Sequence, residues 1–235
     1  MSNEKISNTI IKYKSAFILL LLCVCVSLMT PKFLDWTNVM NIARQTTVNG
    51  IIAIGMACVI ITGGIDLSVG SVLAFSTLFC GVLITNGVPG FVAGLLGVLL
   101  GGVIGMVSGV LIAELDLPPF IVTLASMSVF RGFTMLLSGG MPVSLQDKIS
   151  FFGAGYVGPI PFPVIILAIV FLVMWFIMNR TKFGRHIYAI GGNEQTARLA
   201  GINVNKSKIL VYGISGLLAA LSGIIIAARL NSAQP

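Results

Sequence analysis

The chain has 235 residues, of which 57% are hydrophobic and only 9% charged, against about 25% charged in a typical soluble domain. With a mean hydropathy of +1.04, it reads as an integral membrane protein, which excludes soluble enzymes, nucleic-acid modules and disordered tails. The net charge of +7 arises from basic residues at the ends of apolar runs, so it reports membrane orientation and implies no nucleic-acid partner.

A transmembrane helix needs about 20 apolar residues, with roughly 17 to 25 tolerated. By that measure the sequence predicts an all-α polytopic protein with seven spans: Ser15–Met29, Val39–Ile61, Val69–Thr85, Phe91–Ala113, Phe120–Leu137, Phe162–Met178 and Ile209–Ala228. The chain is expected to form a single transmembrane domain over 1–235, with residues 1–14 as a cytoplasmic tail and 179–208 as a cytoplasmic loop. Lys5, Lys12 and Lys14 precede the first span as in a signal peptide, but no small-residue cleavage site follows, so the helix is read as uncleaved. Cys23, Cys25, Cys58 and Cys80 all lie in apolar runs and are expected to be small buried hydrophobes, with no metal site.

Asn38, Asn41, Gln45 and Asn49 recur at helical spacing and put four amides on one face of the second span. They are open to two readings: hydrogen bonds between helices, or the lining of a watery path suited to sugar hydroxyls. Between the second and third spans, Thr62-Gly-Gly-Ile-Asp-Leu-Ser-Val-Gly-Ser71 carries the glycines Gly63, Gly64 and Gly70 together with Asp66 and Ser68. Asp66 or Ser68 could cap the third helix, or the segment could be a break inside the bundle.

The fourth span carries Ala93, Gly97, Gly101, Gly105, Gly109 and Ala113, small residues spaced by four that let another backbone approach closely. In the fifth, Thr123, Ser126, Phe130, Thr134 and Ser138 share one side with the midspan cation Arg131 at its edge. Arg131 is either a tie between helices or part of a polar path. Glu114 and Asp116, in the preceding turn, read as solvated charges. A long Gly/Pro-containing segment then leads to the sixth span.

Within 179–208, Asn193 can cap a two-turn helix over 194–200, Glu194 suits its positive end, and Gly201 offers a left-handed stop. Such a helix, presenting Leu199 and Ala200 among polar neighbours, is either a membrane-surface element or a docking knob. His186 has no carboxylate or thiol neighbour in sequence that would make it a ligand. The seventh span has a second small-residue row, Ser215, Ala219, Gly223 and Ala227.

With the N-terminus inside, nine basic residues fall on the cytoplasmic side, four outside and Arg131 within a span, as the positive-inside rule requires. The chain is expected to be interrupted at Pro235, since the last span is followed directly by its end. The phosphate-binding pattern G-x-x-x-x-G-K-[ST] is absent, as are H-E-x-x-H and G-x-S-x-G, so no ATPase, metallohydrolase or serine-hydrolase site is expected in this chain.

Four segments in order, Arg44-Gln-Thr-Thr-Val-Asn-Gly50, Thr62 to Ser71, Leu117-Pro-Pro-Phe-Ile-Val-Thr-Leu-Ala125 and Gly184 to Ile202, resemble the ribose-type permeases of bacterial ABC importers. The resemblance implies a permease bundle in the bacterial cytoplasmic membrane. Its implied partners are a second permease copy or homologue, two cytoplasmic ABC ATPase subunits, an extracytoplasmic sugar-binding protein and membrane lipids. It implies no cofactor here, ATP being bound by the partner ATPase, and further helices beyond the point matching Pro235. The substrate would be a monosaccharide such as ribose, or another small ligand such as a nucleoside or autoinducer sugar. A secondary transporter is the alternative class. Asn41, Gln45, Asn49, Thr123, Phe130, Arg131 and Thr134 are then the candidate pathway residues. Asn193, Glu194, Ala197, Arg198, Leu199 and Gly201 match the coupling element, where Gln195 and Thr196 depart from the family's alanines.

Overall fold

The computed structural model describes residues 14–30 and 32–235. The expected cytoplasmic tail lies, apart from Lys14, outside them. The chain divides into two compact units, a first ending at Ala43 and a second of Arg44–Pro235.

Every expected span is helical: α1 (Lys14–Met29), α2 (Trp36–Ile61), α3 (Val69–Thr85), α4 (Gly90–Ala113), α5 (Pro119–Ser138), α7 (Phe162–Arg180) and α10 (Val204–Leu230). Five of these, α2, α4, α5, α7 and α10, are long and apolar enough to cross a membrane, and α1 and α3 contribute shorter apolar helices. At a 1.5 Å rise per residue, the 17 residues of α3 reach about 25 Å, somewhat short of the roughly 30 Å hydrocarbon core.

Proline and glycine set several helix ends. Pro119 and Pro163 occupy first-turn positions of α5 and α7, where a missing N–H costs nothing. Gly139 closes α5 at φ +60°, a left-handed conformation that a Cβ would strain.

The second unit is organised around α10, which packs most extensively on α4 and also on α3. The small-residue row of α4 is buried as expected. A Cβ at Gly105 would overlap the backbone carbonyl of Tyr212, and one at Gly109 would lie 2.7 Å from the Cα of Ile209. The small residues of α10 face other neighbours: Gly223 abuts Leu73 and Thr77 of α3, and Ser215 lies beside Gly55 of α2. α10 is therefore enclosed from several sides by backbone-to-backbone approach.

The segment after α5 is structured. Strand β1 (Val143–Ser144) pairs antiparallel with β4 (Ser232–Ala233), helix α6 (Ser150–Ala154) follows, and β2 (Tyr156–Val157) pairs with β3 (Ile160–Pro161). Helix α6 packs against the end of α10, where a Cβ at Gly153 would overlap the Arg229 amide. At the opposite end of the bundle, α8 (Lys182–Gly192) and α9 (Glu194–Leu199) form an elbow before α10.

One expectation about the cysteines is corrected. Cys58 and Cys80 are buried, but Cys25 is exposed and Cys23 only half-buried, because α1 is apolar around its whole circumference and has no preferred buried face.

Candidate functional site

The Thr62–Ser71 break turns its polar side into the bundle and leaves Gly63, Ile65 and Gly70 exposed. Thr62, Asp66, Ser68 and Ser71 are all buried. Asp66 Oδ1 accepts from the Ser68 amide (3.0 Å) and from Ser68 Oγ (2.6 Å), and Oδ2 accepts from Ser215 Oγ in α10 (2.8 Å). Tyr212 Oη donates to the Ile65 carbonyl at 3.2 Å, satisfying a non-helical backbone group. Gly63 takes φ +77°, and a Cβ on Gly64 would stand 2.5 Å from Tyr212 Oη. The capping reading fails: Ser68 makes no side-chain cap bond to α3, and the Asp66 carboxylate closes a local two-residue turn instead.

The fifth span presents two different faces. Thr123 and Thr134 are buried, with hydroxyls donating to the carbonyls of Pro119 (2.8 Å) and Phe130 (2.7 Å). Phe130 packs with Phe75 of α3, ring centroids 5.4 Å apart. Ser126 shares a 3.0 Å hydrogen bond with Ser108 of α4. Arg131 points elsewhere, into an open groove of about 490 Å³ between α3 and α5, lined also by Gly70, Ser71, Ser128 and Gly132. Gly70 and Gly132 leave that wall bare, with no atom within 4 Å of a built Cβ. Thr123, Phe130 and Thr134 thus hold the helix in place and do not line the groove that Arg131 enters.

The amides separate as well. In the first unit, Asn38 Nδ2 donates to the Phe33 carbonyl at 2.8 Å, and Asn41 is half-buried. In the second, Gln45 and Asn49 are exposed and line a pocket between α2 and α10 together with Arg44 and Arg229.

The elbow is built as the spacing predicted, with one addition. Asn193 Oδ1 accepts from the Thr196 amide (2.8 Å), capping α9. Gly201 is left-handed at φ +81°, and the Ile202 amide reaches back to the Ala197 carbonyl (3.1 Å). Ala197 is buried against Ile190 and Val204, whereas Leu199 is 90% exposed. Glu194 bonds both Arg198 (3.0 Å) and Lys208 (2.7 Å). Its partial burial pushes its carboxyl pKa upward, but the bonds and charges of Lys208 and Arg198 together outweigh this and hold it below the ordinary value.

The addition is α8, which precedes the cap and is itself capped by Thr181 (3.3 Å from the Gly184 amide). It buries Ile187 and Ile190, with Phe183 packed partly against the core. The apolar positions 183, 187 and 190 were a helical signal available in the sequence. Between the elbow and the end of α4, a groove of about 470 Å³ is lined by Glu114, Asp116, Glu194, Gln195, Arg198 and Asn205.

A bundle of apolar helices with polar grooves and a capped surface elbow has the build of a polytopic membrane protein. The chain belongs to the family described as branched-chain amino acid transport system / permease component, whose model matches residues 38–235. It is 44% identical to the ribose import permease protein RbsC of Haemophilus influenzae, over 100% of this chain and 74% of that one. It is 46% identical to RbsC of Bacillus subtilis, over 92% and 68% of the two chains. The D-allose transport system permease protein AlsC of Escherichia coli is 40% identical over 95% of this chain and 70% of its own length. No solved structure matches the chain significantly.

Proposed function

We propose that the protein is the membrane-spanning subunit of an ATP-driven importer that carries ribose across the bacterial inner membrane. The similarity to ribose import permeases over nearly the whole chain supports this choice of substrate above other sugars. In this reading the N-terminus and the α8–α9 elbow face the cytoplasm. ATP is bound and hydrolysed by separate ATPase subunits, and an extracytoplasmic binding protein delivers the sugar to a pair of permease subunits. No cofactor acts in this chain. The Arg131 groove between α3 and α5 contributes polar wall to the pathway, because a midspan cation is costly against lipid and is accommodated by water or hydroxyls.

The observation that carries the reading is α9: a short helix clamped at both ends, seated on Ala197, and presenting Leu199 outward. An apolar side chain held rigidly in that position suits a pocket on a partner. The test is sugar-stimulated ATP hydrolysis by the assembled full-length transporter. Leu199→Asp leaves α9 folded and should abolish coupling. Ala197→Pro removes the bond from the residue 197 amide to the Asn193 carbonyl and, at about 3 kcal/mol in a helix interior, should unfold α9 and also abolish it. Wild-type coupling in both variants would remove the elbow from the mechanism.

A further inference from the structure

The pocket between α2 and α10 in the second unit, about 390 Å³ in volume, brings together two arginines, Arg44 and Arg229, and two amides, Gln45 and Asn49. No carboxylate lines it. Arg44 Nε and Nη2 are buried and have no hydrogen-bond partner. A guanidinium cannot shed its proton, so buried N–H groups of this kind require an acceptor. The Tyr156 ring, with Cζ of Arg44 4.7 Å from its centroid, engages the flat face of the guanidinium and leaves the N–H edge unanswered.

The layering of the pocket identifies the missing acceptor. Arg229 stands one residue before the end of α10, where that helix reaches the strand-bearing end of the bundle. Val48 lies four residues after Arg44 in α2, and Ile225 lies four residues before Arg229 in α10. Because the two helices run in opposite directions here, both aliphatic residues sit one turn, about 5–6 Å, deeper in the bundle than the arginines. Cations at the membrane boundary above an aliphatic floor match a phosphate headgroup above its acyl chains. A neutral sugar would leave both charges uncompensated, and inorganic phosphate would have no use for the floor.

We propose that this pocket binds the phosphate of an anionic phospholipid. The Arg44 edge and Arg229 hold its oxygens, Gln45 and Asn49 donate to the rest of the headgroup, and an acyl chain lies along Val48 and Ile225. Gln45 and Asn49, candidates for the sugar path from the sequence, are assigned here to the headgroup instead, and the pocket shares no lining residue with the Arg131 groove.

The test uses the full-length permease in detergent, with phosphatidylglycerol, phosphatidylcholine or inorganic phosphate added separately. Bound lipid is counted by native mass spectrometry, and stability is followed by thermal unfolding. Phosphatidylglycerol should form a retained adduct and raise the unfolding temperature, phosphatidylcholine should do neither, and Lys206→Gln, at an exposed lysine away from the pocket, should leave both effects intact. The double variant Arg44→Gln/Arg229→Gln should lose both effects. Arg44→Lys keeps the charge without the fork and should weaken the adduct roughly tenfold, as loss of a charge-assisted bond implies; it decides the matter if the double variant does not fold. An undiminished adduct in Arg44→Lys or in the double variant would overturn the proposal. So would an equal stabilisation by inorganic phosphate that also displaces the lipid, which would make the ligand a free anion.

Discussion

Ser215→Ala isolates the bond that ties the broken segment to α10. The substitution removes one hydroxyl and leaves Asp66 Oδ2 without the donor that reaches it at 2.8 Å, while both Oδ1 contacts from Ser68 remain. Asp66 and Ser215 are each 2% exposed, so water cannot readily replace the lost donor. A hydrogen bond to a charged group contributes about 1.5–3 kcal/mol, and leaving its partner buried forfeits a comparable amount. For a chain of this size that corresponds to a fall in unfolding temperature of about 3–12 °C. Cys58 and Cys80 are buried and supply the probe: a thiol-reactive dye, in a background with Cys23 and Cys25 changed to serine, reports unfolding as these thiols open. Ser128→Ala is the control, since its hydroxyl is exposed and bonds only to the Leu124 carbonyl of its own helix, at 3.1 Å. If the two alanine variants melt within about 1 °C of each other, a difference smaller than any buried charge-assisted bond predicts, the clamp is not holding the break in place.

Gly105→Ala should destabilise by about 1–3 kcal/mol or more, because the new methyl meets a backbone carbonyl of α10 that cannot rotate away; Gly132→Ala, facing open space, should melt like the wild type in the same dye assay. For α9, the folded-state pKa of Glu194 lies below the ordinary 4.5, so its contribution is complete above that value and is lost as the pH falls through the depressed one. A spin label at Gln195 should therefore stay immobile down to about pH 4.5 and loosen only below it, whereas Lys208→Ala should move the loosening upward in pH; an unchanged midpoint would show that the Lys208 bond does not hold the helix.

The helices were legible because a continuous apolar run has one stable solution in a bilayer, and their observed ends differ from expectation by a few residues where helices extend past the hydrocarbon: α7 to Arg180, α10 from Val204 to Leu230. The buried glycine row of α4 was legible for a steric reason that holds in any solvent. What the sequence hid was orientation about each helix axis. In water an apolar face must turn inward, but in a membrane lipid and protein are equally apolar, so Thr123, Phe130 and Thr134 could be placed on a common side of α5 without showing that this side is the buried one. The same ambiguity concealed the destination of Asp66, since a carboxylate at a helix start caps as readily as it spans to another helix, and only the position of Ser215 decides. The amide row held no sign of the state of Arg44, whose unpartnered N–H groups depend on α10 and Tyr156, far away in sequence. Helix α8 was masked by Lys182, Arg185 and His186, which made an amphipathic helix look like a polar loop.

The interlock of α4 with α10 has a bearing on how the molecule can move. Where backbones touch through glycines there is no side-chain layer to re-pack, so the two helices cannot slide or roll past one another in small steps. They behave as a single strut, and the break sealed by Asp66 fastens α2 and α3 to it. By contrast only 17% of α5 and 11% of α7 is buried within the chain, against 67% of α10. A rearrangement that spares this strut would fall on α7, and then on α5, whose contacts within the chain are made by side chains that can re-pack. The elbow is the stretch that joins α7 to α10, so it links the sparsely packed helix to the strut.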